Sequence, residues 1–198
     1  TAPTAAIDPG ARGLMFDLSD LAVPIIGAPM AGGPGTPALA AAVSNAGGLG
    51  FLAAGYLTAE KFADGIAAVR AATTGPIGVN LFVPQPSLAT PAALDRYREE
   101  LTPLAERFGA APGQTHPDDD AWDAKIDVVA DTAPEMASFT FGCPSAETLA
   151  RLRTRGVLTA VTVTSLDEAD RAPYQFALAG VPVIVTAMPP NSMALPLW

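Results

Sequence analysis

PIIGAPMAGGPGTPALAAAVSNAGGLGFLAAGY, residues Pro24 to Tyr56, joins two apolar runs through a Gly/Pro-rich turn and a segment of small residues. Pro24 to Ala28 is predicted as a strand, Pro29 to Thr36 as a turn, Pro37 to Ala46 as a helix and Leu49 to Ala54 as a second strand. The turn carries almost no side-chain bulk, so its backbone can approach a flat or phosphorylated ligand closely.

The same alternation continues downstream. Thr58 is placed to cap a helix carrying Phe62, Ile66 and Val69 on one face, which ends near Thr74 and Gly75 ahead of Pro76. Ile77 to Val83 reads as a strand in which Asn80 is the strongly polar member, and Pro91 to Phe108 as an amphipathic helix. Residues 109 to 119 are loop-like, and Asp118, Asp119 or Asp120 is expected to cap a helix through Asp131. Met136 to Gly142 is a further strand, Ser145 to Gly156 a helix and Val157 to Thr164 a strand; Ser165 with Glu168 forms a capping box for the next helix.

Strands that are apolar almost throughout, alternating with helices, predict an α/β fold built on a parallel sheet. Two architectures satisfy this pattern: an open doubly wound sheet and a closed eight-fold barrel. A (β/α)8 barrel takes about 250 residues and seldom fewer than about 200. The 198-residue chain has material for about five to six βα units, so that if the second architecture holds it is an incomplete (β/α)8 TIM-type barrel. Residues 1–14 read as a loose leader and 15–198 as one domain.

Composition narrows the function classes. A formal net charge of −9, with no Lys/Arg-rich patch, argues against nucleic-acid binding. Apolar residues make up 49% of the chain and charged ones 16%, so much of its surface is expected to be buried. No run of about 18 apolar residues or basic leader is present, and the single cysteine excludes an internal disulfide; a cytoplasmic, non-membrane protein is expected.

Individual candidates are sparse. Gly48, Gly50 and Ala53 loosely match a dinucleotide fingerprint, but they lead from helix into strand, the reverse of what that motif requires. His116, beside Pro117 and three Asp residues, reads as a solvated loop side chain, with no second histidine or nearby cysteine to complete a metal site. Cys143 reads as a small buried hydrophobe. Tyr56 and Tyr174 could reach a substrate, whereas Tyr97 fits the apolar face of its helix. Taken alone, Met30 would be a core gap-filler, and Asn80 would satisfy a neighbouring backbone group.

The Pro24 to Tyr56 stretch, together with GVNLFVP (Gly78 to Pro84), ASFTFGCP (Ala137 to Pro144) and VTVTSLDEA (Val161 to Ala169), resembles the nitronate monooxygenases over roughly residues 21 to 172. The resemblance implies a (β/α)8 barrel that binds FMN and uses O2 to oxidise alkyl nitronates such as propionate 3-nitronate. It places Ala28, Pro29 and Met30 at the flavin ring, makes Asn80 a cofactor ligand and brings in Thr162 as a further contact. It supplies no catalytic histidine, because the family's Gly-Gly-His-Arg segment and its glycine-rich phosphate loops have no match, and residues 173–198 depart from the family pattern. The resulting expectation is a truncated or frame-altered family member that can self-associate through exposed sheet edges. Two alternative readings are a non-catalytic half-barrel fragment and an FMN-dependent oxidoreductase of the enoyl-acyl-carrier-protein reductase type.

Overall fold

Five parallel strands lie side by side in the order in which the chain makes them: β1 (Gly50–Ala53), β2 (Ile77–Phe82), β3 (Met136–Thr140), β4 (Leu158–Val163) and β5 (Ile184–Ala187). The computed structural model describes residues 16–86, 89–115, 118–165 and 184–187. The leader, His116, Tyr174 and the capping-box partner Glu168 lie outside the described residues.

Strand order decides between the two architectures. A doubly wound sheet reverses direction beside its first strand and sets helices on both faces. Here no reversal occurs. The helices are α1 (Pro37–Asn45), α2 (Ala59–Ala72), α3 (Pro91–Arg107), α4 (Trp122–Thr132) and α5 (Ala146–Thr154). Those that join the sheet's core, α1, α2, α4 and α5, cover one face. One core joins Ala40 of α1, Phe62, Ile66 and Val69 of α2, Ile126 and Val129 of α4, and Leu149 and Leu152 of α5 to alternate strand residues Leu52, Val79, Phe139 and Val161. A second, smaller core on the opposite sheet face gathers Leu49, Phe51, Met136, Leu158 and Ala160, against which Phe16, Leu18 and Leu21 pack. A sheet in chain order, with helices outside and side chains filling its inner face, is the wall of an incomplete (β/α)8 barrel.

The described residues fall into two compact units, one running through Pro84 and resuming at Asp120, the other Gln85–Asp119. The second unit contains α3, in which Leu94, Tyr97 and Leu101 are half-buried while Leu104 and Phe108 are exposed.

Hydroxyl caps start four of the helices. Thr36 Oγ1 accepts from Leu39 N–H, Thr58 Oγ1 from Lys61 N–H, Thr90 Oγ1 from Ala93 N–H and Ser145 Oγ from Thr148 N–H. Each such cap contributes about 1 kcal/mol. The aspartate cap expected for α4 does not form. Its N-cap is Ala121, in a left-handed conformation with no side-chain bond. The carboxylate of Asp120 instead meets the buried Lys125 ammonium at 2.7 Å and the Tyr56 N–H at 2.9 Å. A buried cation left unpaired would cost more than a helix cap contributes.

The predicted first strand is also corrected. Pro24 to Ala28 forms a single parallel bridge, Ile26 to Leu49, closed by Gly27 N–H to Leu49 O and Leu49 N–H to Ile25 O, both 2.9 Å. Pro29 has no N–H to carry the ladder on towards Phe51, and on the other side Ile25 N–H turns back to Val23 O at 2.7 Å while Gly47 O accepts from Val23 N–H at 2.9 Å.

At the amino end of the sheet Glu135 ties three elements together. Its carboxylate receives Arg70 Nη2 of α2 at 2.9 and 3.0 Å and the Ile77 N–H of β2 at 2.7 Å, one residue before β3 begins.

Candidate active site

Along the inner face of the sheet, polarity changes with height. Near the amino ends the row is apolar, with Phe51, Met136 and Leu158, and Phe51 lies over Gly78, where a Cβ would collide with its ring. Towards the carboxyl ends the same pleat positions become Asn80, Ser138, Thr140 and Thr162, because side chains two residues apart share a face.

Asn80 is 4% exposed and pairs in register with Ser138. Its Nδ2 donates to Ser138 Oγ at 2.9 Å, Thr140 Oγ1 at 3.1 Å and the Ser138 carbonyl at 3.3 Å. A carbonyl can only accept, so the Ser138 contact fixes which way the amide points. With both amide hydrogens directed at β3, Oδ1 is the Asn80 atom left to accept from a ligand. Asn80 therefore serves a neighbouring backbone group and retains an acceptor for the site.

An aromatic cluster begins at Phe82, two residues beyond Asn80 and in register with Thr140. The Phe82 ring is edge-on to Tyr56 (centroids 5.5 Å apart, 76° between planes) and to Phe141 (4.9 Å, 60°). Gly55 makes room for Phe82, since a Cβ there would enter the ring. Tyr56 and Phe141, just past the carboxyl ends of β1 and β3, both have left-handed backbones, with φ of 66° and 72°. Each costs about 1–3 kcal/mol in a residue with a side chain, and such strain gathers at functional sites.

Ala28, Pro29 and Met30 follow the Ile26 bridge and are exposed, Met30 by 38%. Met30 is thus no core gap-filler. Gly32 and Gly33, in the same turn, have positive φ, and a Cβ on either would point into open space. The thin turn invites close approach from outside. Thr162 is half-buried on β4 and pairs in register with Thr186 of β5.

Ser138, Thr140, Phe82 and Phe141 were not singled out from the sequence. The alternating polar positions of Ser138 and Thr140 within an apolar strand were the signal for the first two. Cys143 packs half-buried against the helix-side core, and burial pushes its thiol up to about 11. It is a poor nucleophile at neutral pH. A shallow groove between α4 and α5, lined by Trp122, Ser145, Glu147 and Arg151, belongs to the helical layer and contains none of the strand-end residues.

A strand-end polar row next to aromatic rings is where barrels of this type carry their sites. The nitronate monooxygenase family model matches residues 14–179. This chain belongs to the nitronate monooxygenase family. It is 39% identical over 166 residues to a nitronate monooxygenase of Paraburkholderia phytofirmans, an alignment covering 82% of this chain and 44% of that relative. A solved nitroalkane oxidase from Streptomyces ansochromogenes superposes with a TM-score of 0.77 at 43% identity, covering 85% of this chain and 47% of the other. FabK from Thermotoga maritima is more distant, with a TM-score of 0.56 at 26% identity and coverage of 85% and 42%. This nitronate monooxygenase family chain thus spans less than half the length of the relatives it matches. Among its described residues no helix is long and apolar enough to cross a membrane.

Proposed function

We propose that this chain carries the flavin-ring side of an FMN-dependent site that oxidises alkyl nitronates, propionate 3-nitronate among them, with O2. The observation that carries the reading is Asn80, buried at the strand ends with its amide hydrogens spent on β3 and its carbonyl oxygen left to accept from a ring N–H. The exposed Ala28 to Met30 turn and the row of Ser138, Thr140 and Thr162 fit a flat heterocycle with one apolar and one polar border. When bound, FMN supplies the redox chemistry, accepting electrons from the nitronate for delivery to O2.

The protein's part is to bind, orient and exclude water. A nitronate has already lost its α-proton, so the residues here need supply no general base. No described residue provides the glycine-rich phosphate loops of the family, so the grip on the cofactor's phosphate is not assigned to this part of the chain.

Titration of FMN with the purified chain, followed by flavin fluorescence and by oxygen uptake on propionate 3-nitronate, tests the proposal. Quenching that saturates at one FMN per chain, with nitronate-dependent oxygen uptake, is expected. FMN fluorescence that stays unquenched, with no oxygen uptake, rejects it and leaves a non-catalytic half-barrel. NADH consumption with an enoyl thioester would transfer the site to the reductase class.

A further inference from the structure

We propose that the buried Lys125–Asp120 ion pair holds the Tyr56 ring in place as a wall for the alkyl chain of the substrate. This rests on the nitronate-oxidising reading of the site and deepens it by assigning the chain-length determinant.

Three observations converge on Tyr56. The residue is 79% exposed, the most of any large hydrophobic residue described, yet its ring is held edge-on to Phe82 at 5.5 Å. Its backbone has φ 66°, a conformation that residues with side chains adopt at an energetic cost. That conformation is supported from a distance: the Tyr56 N–H donates to Asp120 Oδ1 at 2.9 Å, and the same oxygen lies 2.7 Å from Lys125 Nζ. Lys125 is 1% exposed at its side chain, so the pair is deep and its geometry is stiff.

A cap for α4 would need no lysine, and a turn after β1 would be easier with glycine at position 56. The arrangement instead spends a buried charge pair and a strained backbone on presenting an aromatic ring. The ring continues the Phe82 and Phe141 surface that begins two residues beyond Asn80. A nitronate whose charged head reacts at the flavin that the polar row would hold would lay an apolar tail along these rings. Tyr56 is then the specificity-determining contact. Lys125 and Asp120 act through it as positioning residues.

Tyr56→Gly separates this role from a purely structural one, because glycine suits a left-handed backbone and removes only the ring. With the FMN-loaded chain, kcat and KM are measured on ethyl and hexyl nitronate, and binding of the neutral 1-nitrohexane and nitroethane to the chain without FMN is measured by calorimetry. In Tyr56→Gly the hexyl-to-ethyl ratio of kcat/KM is expected to fall about tenfold through KM, on the scale of about fourfold per methylene no longer covered, while Tm holds or rises. Lys125→Met is expected to lower the ratio likewise, and to have no further effect on it in the Tyr56→Gly background.

An unchanged ratio together with a lowered Tm would make the ring a fold element and overturn the proposal. If no nitronate turns over but the preference for 1-nitrohexane is present and lost in Tyr56→Gly, the wall stands and the reaction assigned above falls. Turnover with an unaltered ratio leaves the reaction standing and removes the wall. Absence of turnover and binding alike removes both. Should Lys125→Met not fold, the paired selectivity and Tm readouts of Tyr56→Gly decide the ring's role.

Discussion

Asn80 shows how a single residue can be legible in kind and not in partnership. A strongly polar side chain in the apolar strand Ile77–Phe82 marks a site or a satisfied contact. The structure supplies both, because β3 brings Ser138 and Thr140 to its amide hydrogens. Asn80→Ala removes the donor to Ser138 Oγ, Thr140 Oγ1 and the Ser138 carbonyl and should cost about 1–3 kcal/mol in urea unfolding, with weaker flavin quenching in the same sample. Cys143 makes a pH prediction. Its folded-state thiol is raised from 9.0 to about 11, so folded and unfolded chains are both protonated below pH 9. Between pH 9 and 11 the unfolded chain loses that proton first, and stability should decline across this window. Cys143→Ala should flatten that slope in denaturation midpoints measured at pH 8, 9.5 and 11. The left-handed backbone at Tyr56 was not legible, because AAGY suggests that Gly55 takes the unusual conformation. Gly55 is required instead by the ring of Phe82.

At the scale of elements, local chemistry carried far. Thr58 and Ser145 cap the helices they were expected to cap, and the strands end within one or two residues of their predicted limits. One miss arises where a distant group outbids a local one. Asp120, one of three aspartates expected to cap α4, serves Lys125 and Tyr56 instead, whereas the first strand shrinks to one bridge for a local reason, the proline that follows it. Ala133 closes α4 with φ 41°. Ala133→Gly should therefore raise stability by about 0.5–1 kcal/mol, as relief of the left-handed strain exceeds the added freedom of the unfolded chain; thermal unfolding measures it. Gly78→Ala should do the opposite. A methyl group there meets the Phe51 ring on the inner face, and the displaced ring should cost about 1–3 kcal/mol, read from urea midpoints.

For the molecule as a whole, the exposed apolar residues make the test. Val23, Ile25, Ile26 and Leu39 are exposed around the single bridge to Leu49, a concentration that soluble surfaces seldom carry unpartnered. Concentration-dependent self-association is expected in analytical ultracentrifugation. Ile25→Lys, at the most exposed of the four, should shift the profile towards monomer; an unchanged profile places the contact elsewhere. The chain's coverage of less than half of each relative is consistent with a barrel wall whose opposite side is not among the described strands.

By itself the sequence determined the class and the family: periodicity and caps are set by neighbours along the chain, and the Pro24 to Tyr56 stretch carries its family likeness in residue order. It left open whether the sheet was wound on one side or both, since an alternation of strands and helices is common to each. Tertiary structure decided that question through strand order, and it decided the site as well. Asn80 with Ser138 and Thr140, and Tyr56 with Asp120 and Lys125, meet across about sixty residues of chain, as their separations of 58, 60 and 64 positions show. Only the packing of parallel strands brings such distant groups within hydrogen-bond reach, and no local pattern records which of them will meet.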